Sequence, residues 1–493
     1  MQYGQYGRSG SLGTEVEMLK SAVARYFDVY DIRVTYDAVA FFVKCEPSTL
    51  EEKFDNLRLD LVPRNYVPFI RKRGAEYAII IGKRKPIGRK GNLANIILLC
   101  VTLVSTTITG AILWSNYYRL PELFTPSTIL NGIVFFVFPL MLILGSHEMG
   151  HFVVARRYRV NASLPYFLPS IPPLGTLGAF ISIRDPFPNR KALLEIGIAG
   201  PIVGFLVSIP VAIVGFMLTQ VNLVHVIVAP GAPVFKAPFL YNLMMSFFPF
   251  SSGSYIIFPT AFAAWVGFFA TALNLLPAGQ LDGGHVARAL LGDNSRYLAW
   301  ATLIVMIILS LFFTSWILIA LFVMILGVRH PPPLNDISKL RVNRKMLGAV
   351  AAAMFLISFT PIPVTTNPAN PSFMMTSTAN TVSVNNSTAQ SFVLTLTNTG
   401  NMAENITVSV QQNTSGSAYF ETLFALSSNA SNSSSFSPVL RVHVRLGDTA
   451  NVTVKIFEIN PKLQPPAPGT YIVTIVGNSN GYVRAYSVSV VAS

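Results

Sequence analysis

The sequence predicts a polytopic α-helical membrane protein of about seven spans, with a small cytosolic α+β domain before them and an extracytoplasmic all-β sandwich domain after them. Three observations carry this. Hydrophobic residues make up 52% of the 493 residues and charged residues only 12%, where a soluble domain carries roughly 25% charge. Apolar segments long enough for a bilayer core, about 20 helical residues, recur between residues 92 and 363. From residue 364 the composition turns to Ser, Thr, Asn and Val, almost without charge. Hydrophobicity this high excludes disorder of the whole chain. Two cysteines, Cys45 and Cys100, exclude a disulfide scaffold and a Cys-rich zinc site. The first ten residues hold no apolar run, so no cleavable signal peptide is expected.

Residues 1–90 read as the α+β domain. Thr14 with Glu17, and Ser48 with Glu51, form capping-box patterns that predict helix starts. Residues 29–45 are rich in β-formers and break near Asp37, like a hairpin. YVPFI and EYAIII predict two further strands.

Residues 91–363 form the predicted membrane domain. Spans are expected at about 92–115, 128–154, 194–218, 256–278 and 346–363. The long stretch 298–328 fits one tilted helix or a hairpin of two short ones. Charge decides between them. Basic residues cluster at Lys83, Arg84, Lys85, Arg89 and Lys90, at Arg156, Arg157 and Arg159, and at Arg184, Arg190 and Lys191. A last cluster is Arg329, Lys339, Arg341, Arg344 and Lys345. A hairpin puts every cluster on one side and leaves only Arg119 and Lys236 opposite, as the positive-inside rule requires. The N-terminus is then cytosolic and the tail outside. The net charge of +14 is thereby read as a match for anionic lipid on the cytosolic face, not as a nucleic-acid signal.

The tail, 364–493, alternates at strand period in SFVLTLTN, NITVSVQQ, LRVHVRL, NVTVKIFE, TYIVTIVG and VRAYSVSVV. NTGN and NSNGY supply turns, so a β-sandwich is expected.

Chemistry concentrates in the second span, at LGSHEMGHF. His147 and His151, four residues apart on a helix, lie on one face and reach one zinc ion. Glu148 sits where a carboxylate takes a proton from metal-bound water. Such residues inside an apolar span are costly unless paired or metal-bound. The bland reading is a hydrogen-bonded polar patch between helices. A third ligand is expected at a catalytic zinc site. Asp282 is a lone acid directly after the fourth apolar segment. His147 lies about 13 Å of helix from the Arg156 cluster, so the two motifs meet at similar depth. Asp282 followed by two glycines also suits a helix N-cap.

HEMGH followed by NLLPAGQLDGGH resembles the site-2 proteases, a family of intramembrane zinc metalloproteases. GTLGAFISIRDPFPNRKALLEIGIAGPIVG, AFAAWVGFFATALNLLPAGQLDGGHVARALLG and GVRHPPPLND resemble the branch found in plants, cyanobacteria and archaea. The resemblance covers about 128–363. It implies one Zn2+ per chain on His147, His151 and Asp282, Glu148 as general base, and membrane-protein substrates cut in or near their transmembrane segments. Asn274 and Pro277 match the family's Asn and Pro before the Asp-Gly pair. The Asn274 amide either orients substrate or donates to a developing oxyanion, or it makes an interhelical hydrogen bond. PPLGTLGAFISIR, 172–184, reads as a Pro-bounded strand pair; in the family such a loop offers an edge to substrate, here Gly178, Ala179 and Phe180. The alternative is a plug without substrate contact.

Gly197, Gly200 and Gly204 predict close helix packing. His285 is expected to hydrogen-bond at a helix start. PFLYNLMMSFFPF, in the loop 219–255, reads as an interfacial segment. Two other functions compete: a non-catalytic zinc-binding membrane receptor or chaperone, and a metal transporter. A transporter needs polar residues along a whole path, and most spans have almost none.

Overall fold

The computed structural model describes residues 9–35, 38–74, 76–84, 92–225, 228–250, 255–338, 340–384, 389–412, 419–429, 435–458 and 467–492. They form two units: Met1–His225 with Lys236–Pro363, and Val226–Phe235 with Val364–Ser493.

The first unit begins with α1 (Ser9–Ala24), β1 (Asp28–Val34), β2 (Ala38–Lys44), α2 (Leu50–Leu61), β3 (Tyr66–Arg73) and β4 (Glu76–Lys83). The strands form an antiparallel sheet in the order β1-β2-β4-β3. Leu19 and Val23 of α1 and Phe54 and Leu57 of α2 share a core with Phe41 and Ile79 of the sheet. Both expected helix starts are corrected. Thr14 lies inside α1, whose first turn needs no cap there. α2 starts after Thr49, which makes no side-chain cap, and Ser48 Oγ donates to Glu46 instead at 3.3 Å. The hairpin residue Asp37 lies outside the described residues.

Next come α3 (Leu93–Tyr118), α4 (Pro126–Gly132) and α5 (Phe138–Arg157), with a π turn at Ile133–Val137 joining α4 to α5. Pro139 has no N–H, so the Phe135 carbonyl loses its helical partner. The Thr260 hydroxyl from another helix donates to that carbonyl at 2.6 Å. Apolar surroundings make such a replacement necessary.

The chain then forms β5 (Tyr166–Pro169) and β6 (Thr176–Phe180), paired antiparallel with Tyr166 opposite Phe180. The strand pair expected at 172–184 is thus shifted: its first strand lies upstream, and residues 172–175 make the turn. α6 (Arg190–Val221) follows, its start capped by Asn189 Oδ1, which accepts from the Ala192 N–H at 2.8 Å. β7 (Val224–His225) closes this stretch, and β8 (Pro233–Phe235) belongs to the second unit. α7 (Phe239–Met245) occupies the expected interfacial segment, with Tyr241 buried and its hydroxyl donating to the Ala261 carbonyl at 3.1 Å. β9 (Tyr255–Ile256) pairs with β7. α8 (Pro259–Asn274), α9 (Asp282–Leu291), α10 (Ser295–Leu309), α11 (Ser315–Leu326) and α12 (Val342–Ser358) complete the unit.

Among the described residues, three helices are long and apolar enough to cross a membrane: Leu93–Tyr118, Pro126–Arg157 and Arg190–Val221. α8, α10, α11 and α12 have 16, 15, 12 and 17 residues. The stretch 298–328 is divided between two helices, α10 and α11.

In the second unit, β10 (Val364–Thr366) pairs with β8. The remaining strands are β11 (Phe373–Ser377), β12 (Thr381–Val384), β13 (Gln390–Asn398), β14 (Glu404–Val410), β15 (Phe420–Leu426), β16 (Leu440–Val444), β17 (Thr449–Glu458), β18 (Gly469–Ser479) and β19 (Tyr482–Ala492). They form two sheets, β11-β13-β17-β15 and β12-β19-β18-β14-β16. Leu394, Leu396 and Val454 from one sheet and Ile406, Val473 and Val488 from the other share one core. The β18–β19 turn uses Asn480 and Gly481 at φ 49° and 83°, as a two-residue hairpin requires.

Thr260→Val keeps the shape and removes the donor to Phe135. The unpaired carbonyl should cost about 1–3 kcal/mol, read as a lower denaturant midpoint in detergent micelles. A midpoint equal to wild type would refute the role given to that bond.

Candidate metal centre

α5 and α9 build the site. α5 carries His147, Glu148 and His151, and all three are buried. Four residues of helix put the two imidazoles on one face. α9 begins at Asp282, with Leu281 at the N-cap position. Asp282 is therefore the first helical residue rather than the cap, and its carboxylate faces the histidines.

The donor atoms form a tight triangle. His147 Nε2 and His151 Nε2 are 3.2 Å apart, and Asp282 Oδ2 lies 3.3 Å from the first and 3.2 Å from the second. Tetrahedral zinc with bonds of about 2.0–2.2 Å spaces its ligand atoms by about 3.3–3.5 Å. His151 Nδ1 lies 2.7 Å from the Ile196 carbonyl. A carbonyl only accepts, so Nδ1 holds the proton and Nε2 offers a lone pair. Two imidazoles and one carboxylate are also the donor set zinc prefers. On geometry and donor chemistry, these residues fit the ion.

The neighbouring helix makes room for this. α5 and α6 cross closely, and a Cβ built on Gly200 would overlap the His151 ring. One on Gly204 would stand 2.9 Å from His147 Nδ1. Small residues on that face were expected for helix packing; what they admit is the two rings.

Glu148 is 3% exposed, with Oε1 3.9 Å from His147 Nε2. The Ile181 backbone amide lies near its carboxylate. Ile181 directly follows β6, so the strand bearing Gly178, Ala179 and Phe180 leads to Glu148. Phe180 stacks on Tyr166 at 5.2 Å. β6 pairs only with β5 among the described residues, which leaves its other edge unpaired. Asn274, the last residue of α8, points its Nδ2 at His147 Nε2 from 3.3 Å. Sequence reasoning missed the Ile196 carbonyl and the Ile181 amide. Backbone groups carry no residue-type signal, so nothing in the sequence announced them.

His285 departs from expectation. Its side chain makes no helix-start hydrogen bond: Nδ1 is buried without a partner. The ring packs against Phe187 at 5.2 Å and His330 at 4.6 Å. Burial lowers both imidazoles, His285 to about 3 and His330 to about 4, so both are neutral near pH 7.

Residues 135–315 match the model of peptidase family M50. A probable chloroplastic zinc metalloprotease EGY1 of Arabidopsis thaliana is 31% identical over 45% of this chain and 41% of its own length. A probable chloroplastic zinc metalloprotease EGY2 of Oryza sativa subsp. indica is 33% identical over 30% and 28%. A probable chloroplastic zinc metalloprotease EGY3 of the same rice is 29% identical over 54% and 48%. The chain thus spans less than half the length of these relatives. The CooA pilin subunit from enterotoxigenic Escherichia coli overlaps 25% of this chain and 98% of its own, at 11% identity and a TM-score of 0.17.

Purified wild type should contain about one zinc per chain, the number one three-ligand site holds. Asp282→Ala and Gly200→Val should both lose most of it, the second by displacing the His151 ring. Elemental analysis decides. Full zinc in Asp282→Ala would mean a different third ligand.

Proposed function

We propose that this chain, which matches the model of peptidase family M50 over residues 135–315, is a membrane-embedded zinc endopeptidase that cuts other membrane proteins in or beside their transmembrane segments. The family and the curated relatives are those of zinc metalloproteases. The observation that carries the reading is Glu148, buried beside a triangle of three metal donors. A protein that only held zinc would not need a carboxylate there.

In this reading the chain crosses the membrane seven times, through α3, joined α4 and α5, α6, α8, α10, α11 and α12. The N-terminus is cytosolic and the β domain extracytoplasmic. The basic clusters supply the support, since this arrangement puts nearly all of them on one side. The cytosolic face meets anionic lipid, and no nucleic acid is involved.

His147, His151 and Asp282 would hold the zinc, one ion per chain. When bound, zinc acidifies water and polarises a peptide carbonyl. Glu148 takes the proton from the attacking water and later delivers it to the leaving amine. Its burial keeps the carboxylate beside the reacting atoms. An extended substrate segment adds to the unpaired edge of β6 at Gly178–Phe180, which replaces the hydrogen bonds lost when a transmembrane helix unwinds. Asn274 cannot keep donating to His147 Nε2 once that nitrogen binds metal. Its amide then turns to the substrate, where it orients the chain or donates to the oxyanion.

Glu148→Gln should retain zinc and lose at least about 100-fold in cleavage rate, as loss of a general base predicts. The assay is a model transmembrane substrate in liposomes, followed on gels beside wild type. Cleavage at the wild-type rate would remove Glu148 as the base.

A further inference from the structure

A second polar site lies at the junction of α9 and α10, beside the loop that precedes Asp282. It is a cavity of about 270 Å³ lined by Arg288, Arg296, Arg329, His330, Asp293 and Gly279, among others. Three arginines and one acidic residue, Asp293, are in this lining.

Arg288 is the informative residue. It is 3% exposed. One nitrogen, Nη2, bonds Asp336 at 2.8 Å and Asp293 at 3.2 Å. The other, Nη1, is buried with no partner. A buried guanidinium N–H without an acceptor is costly. Asp336 Oδ1 is likewise buried without a hydrogen-bond partner, 3.9 Å from Arg190 Nε. Among the described residues Arg329 has no ion pair, and Arg296 has no ion pair either: it donates to the Tyr297 hydroxyl at 2.7 Å and lies over that ring. The cavity also takes in Ser295, the first residue of the 15-residue α10, where the helix dipole favours negative charge. This lining suits an anion with several acceptor oxygens.

We propose that this cavity binds a phosphate-bearing anion, and that its source is the headgroup of an anionic phospholipid. The lipid source is favoured by what continues from the pocket. Along α10, Tyr297, Leu298, Trp300, Ile304 and Ile308 are exposed apolar residues, and they give acyl chains a surface beginning where the arginines end. Basic pockets beside membrane helices suit such headgroups. Gly279 belongs to the loop before Asp282, so an occupied pocket braces that loop from behind. The inference does not depend on peptidase activity.

The test uses the full chain in a neutral detergent and reads the thermal unfolding midpoint. The probes are short-chain phosphatidylglycerol, short-chain phosphatidylcholine and inorganic phosphate. Phosphatidylglycerol should raise the midpoint by about 5 °C, and phosphatidylcholine should not. Arg296→Gln with Arg329→Gln should lose that rise, while Lys345→Gln, a basic residue outside the pocket, should keep it. The double variant keeps Arg288 and its ion pairs, and its zinc content should equal wild type, which separates this site from the metal centre. If inorganic phosphate alone gives the full rise, the anion site stands and the lipid source is overturned. If no anion shifts the midpoint, or the double variant responds like wild type, the site itself is overturned.

Discussion

The close approach of α5 and α6 is the constraint on which the rest of the membrane unit depends. The His151 ring lies where a side chain on Gly200 would be, and its Nδ1 proton is held by the Ile196 carbonyl. That single bond sets the tautomer, and the tautomer sets which nitrogen faces Asp282 and His147. Separating the helices by one methyl group would release the ring and undo the donor triangle. The three-donor geometry is thus a property of two helix backbones as much as of three side chains.

The same economy appears wherever backbone polarity meets an apolar environment. Pro139 deprives Phe135 of its partner, and a hydroxyl from α8 replaces it. The Trp316 indole donates to the Pro361 carbonyl, and the Trp265 indole to that of Lys236. Each bond ties a helix to a segment distant in sequence. These polar groups therefore help to specify which elements are neighbours.

Much of this was legible in the sequence, for physical reasons. The six alternating runs of the tail correspond to β13, β14, β16, β17, β18 and β19, because successive side chains of a strand point to opposite faces, one of them the core. β11, β12 and β15 were not anticipated: the first two are short, and Phe420–Leu426 does not alternate cleanly. The His147–Glu148–His151 spacing announces one helical face, and Asp282 stands out as a lone acid. The helix starts were misjudged because a capping pattern states a local preference that tertiary packing overrides at Thr14 and Ser48. The upstream partner of β6 was missed because YFLP is too short to show a period. Arg288 gave no signal, since an arginine in a sequence looks alike whether paired or not.

One loop has a mechanical consequence. After α11 the chain passes Arg329 and His330 and then inserts Leu334 into the core shared by α1, α2 and the four-stranded sheet. The Leu334 N–H donates to the Phe187 carbonyl, and its own carbonyl accepts from Ile70. The Asn335 N–H donates to the Pro188 carbonyl, just ahead of α6. This short run is a strut between the front sheet, the root of α6 and the rim of the arginine cavity. A pull on the front sheet is therefore delivered along covalent bonds and backbone hydrogen bonds to the base of the helix that seats both histidines.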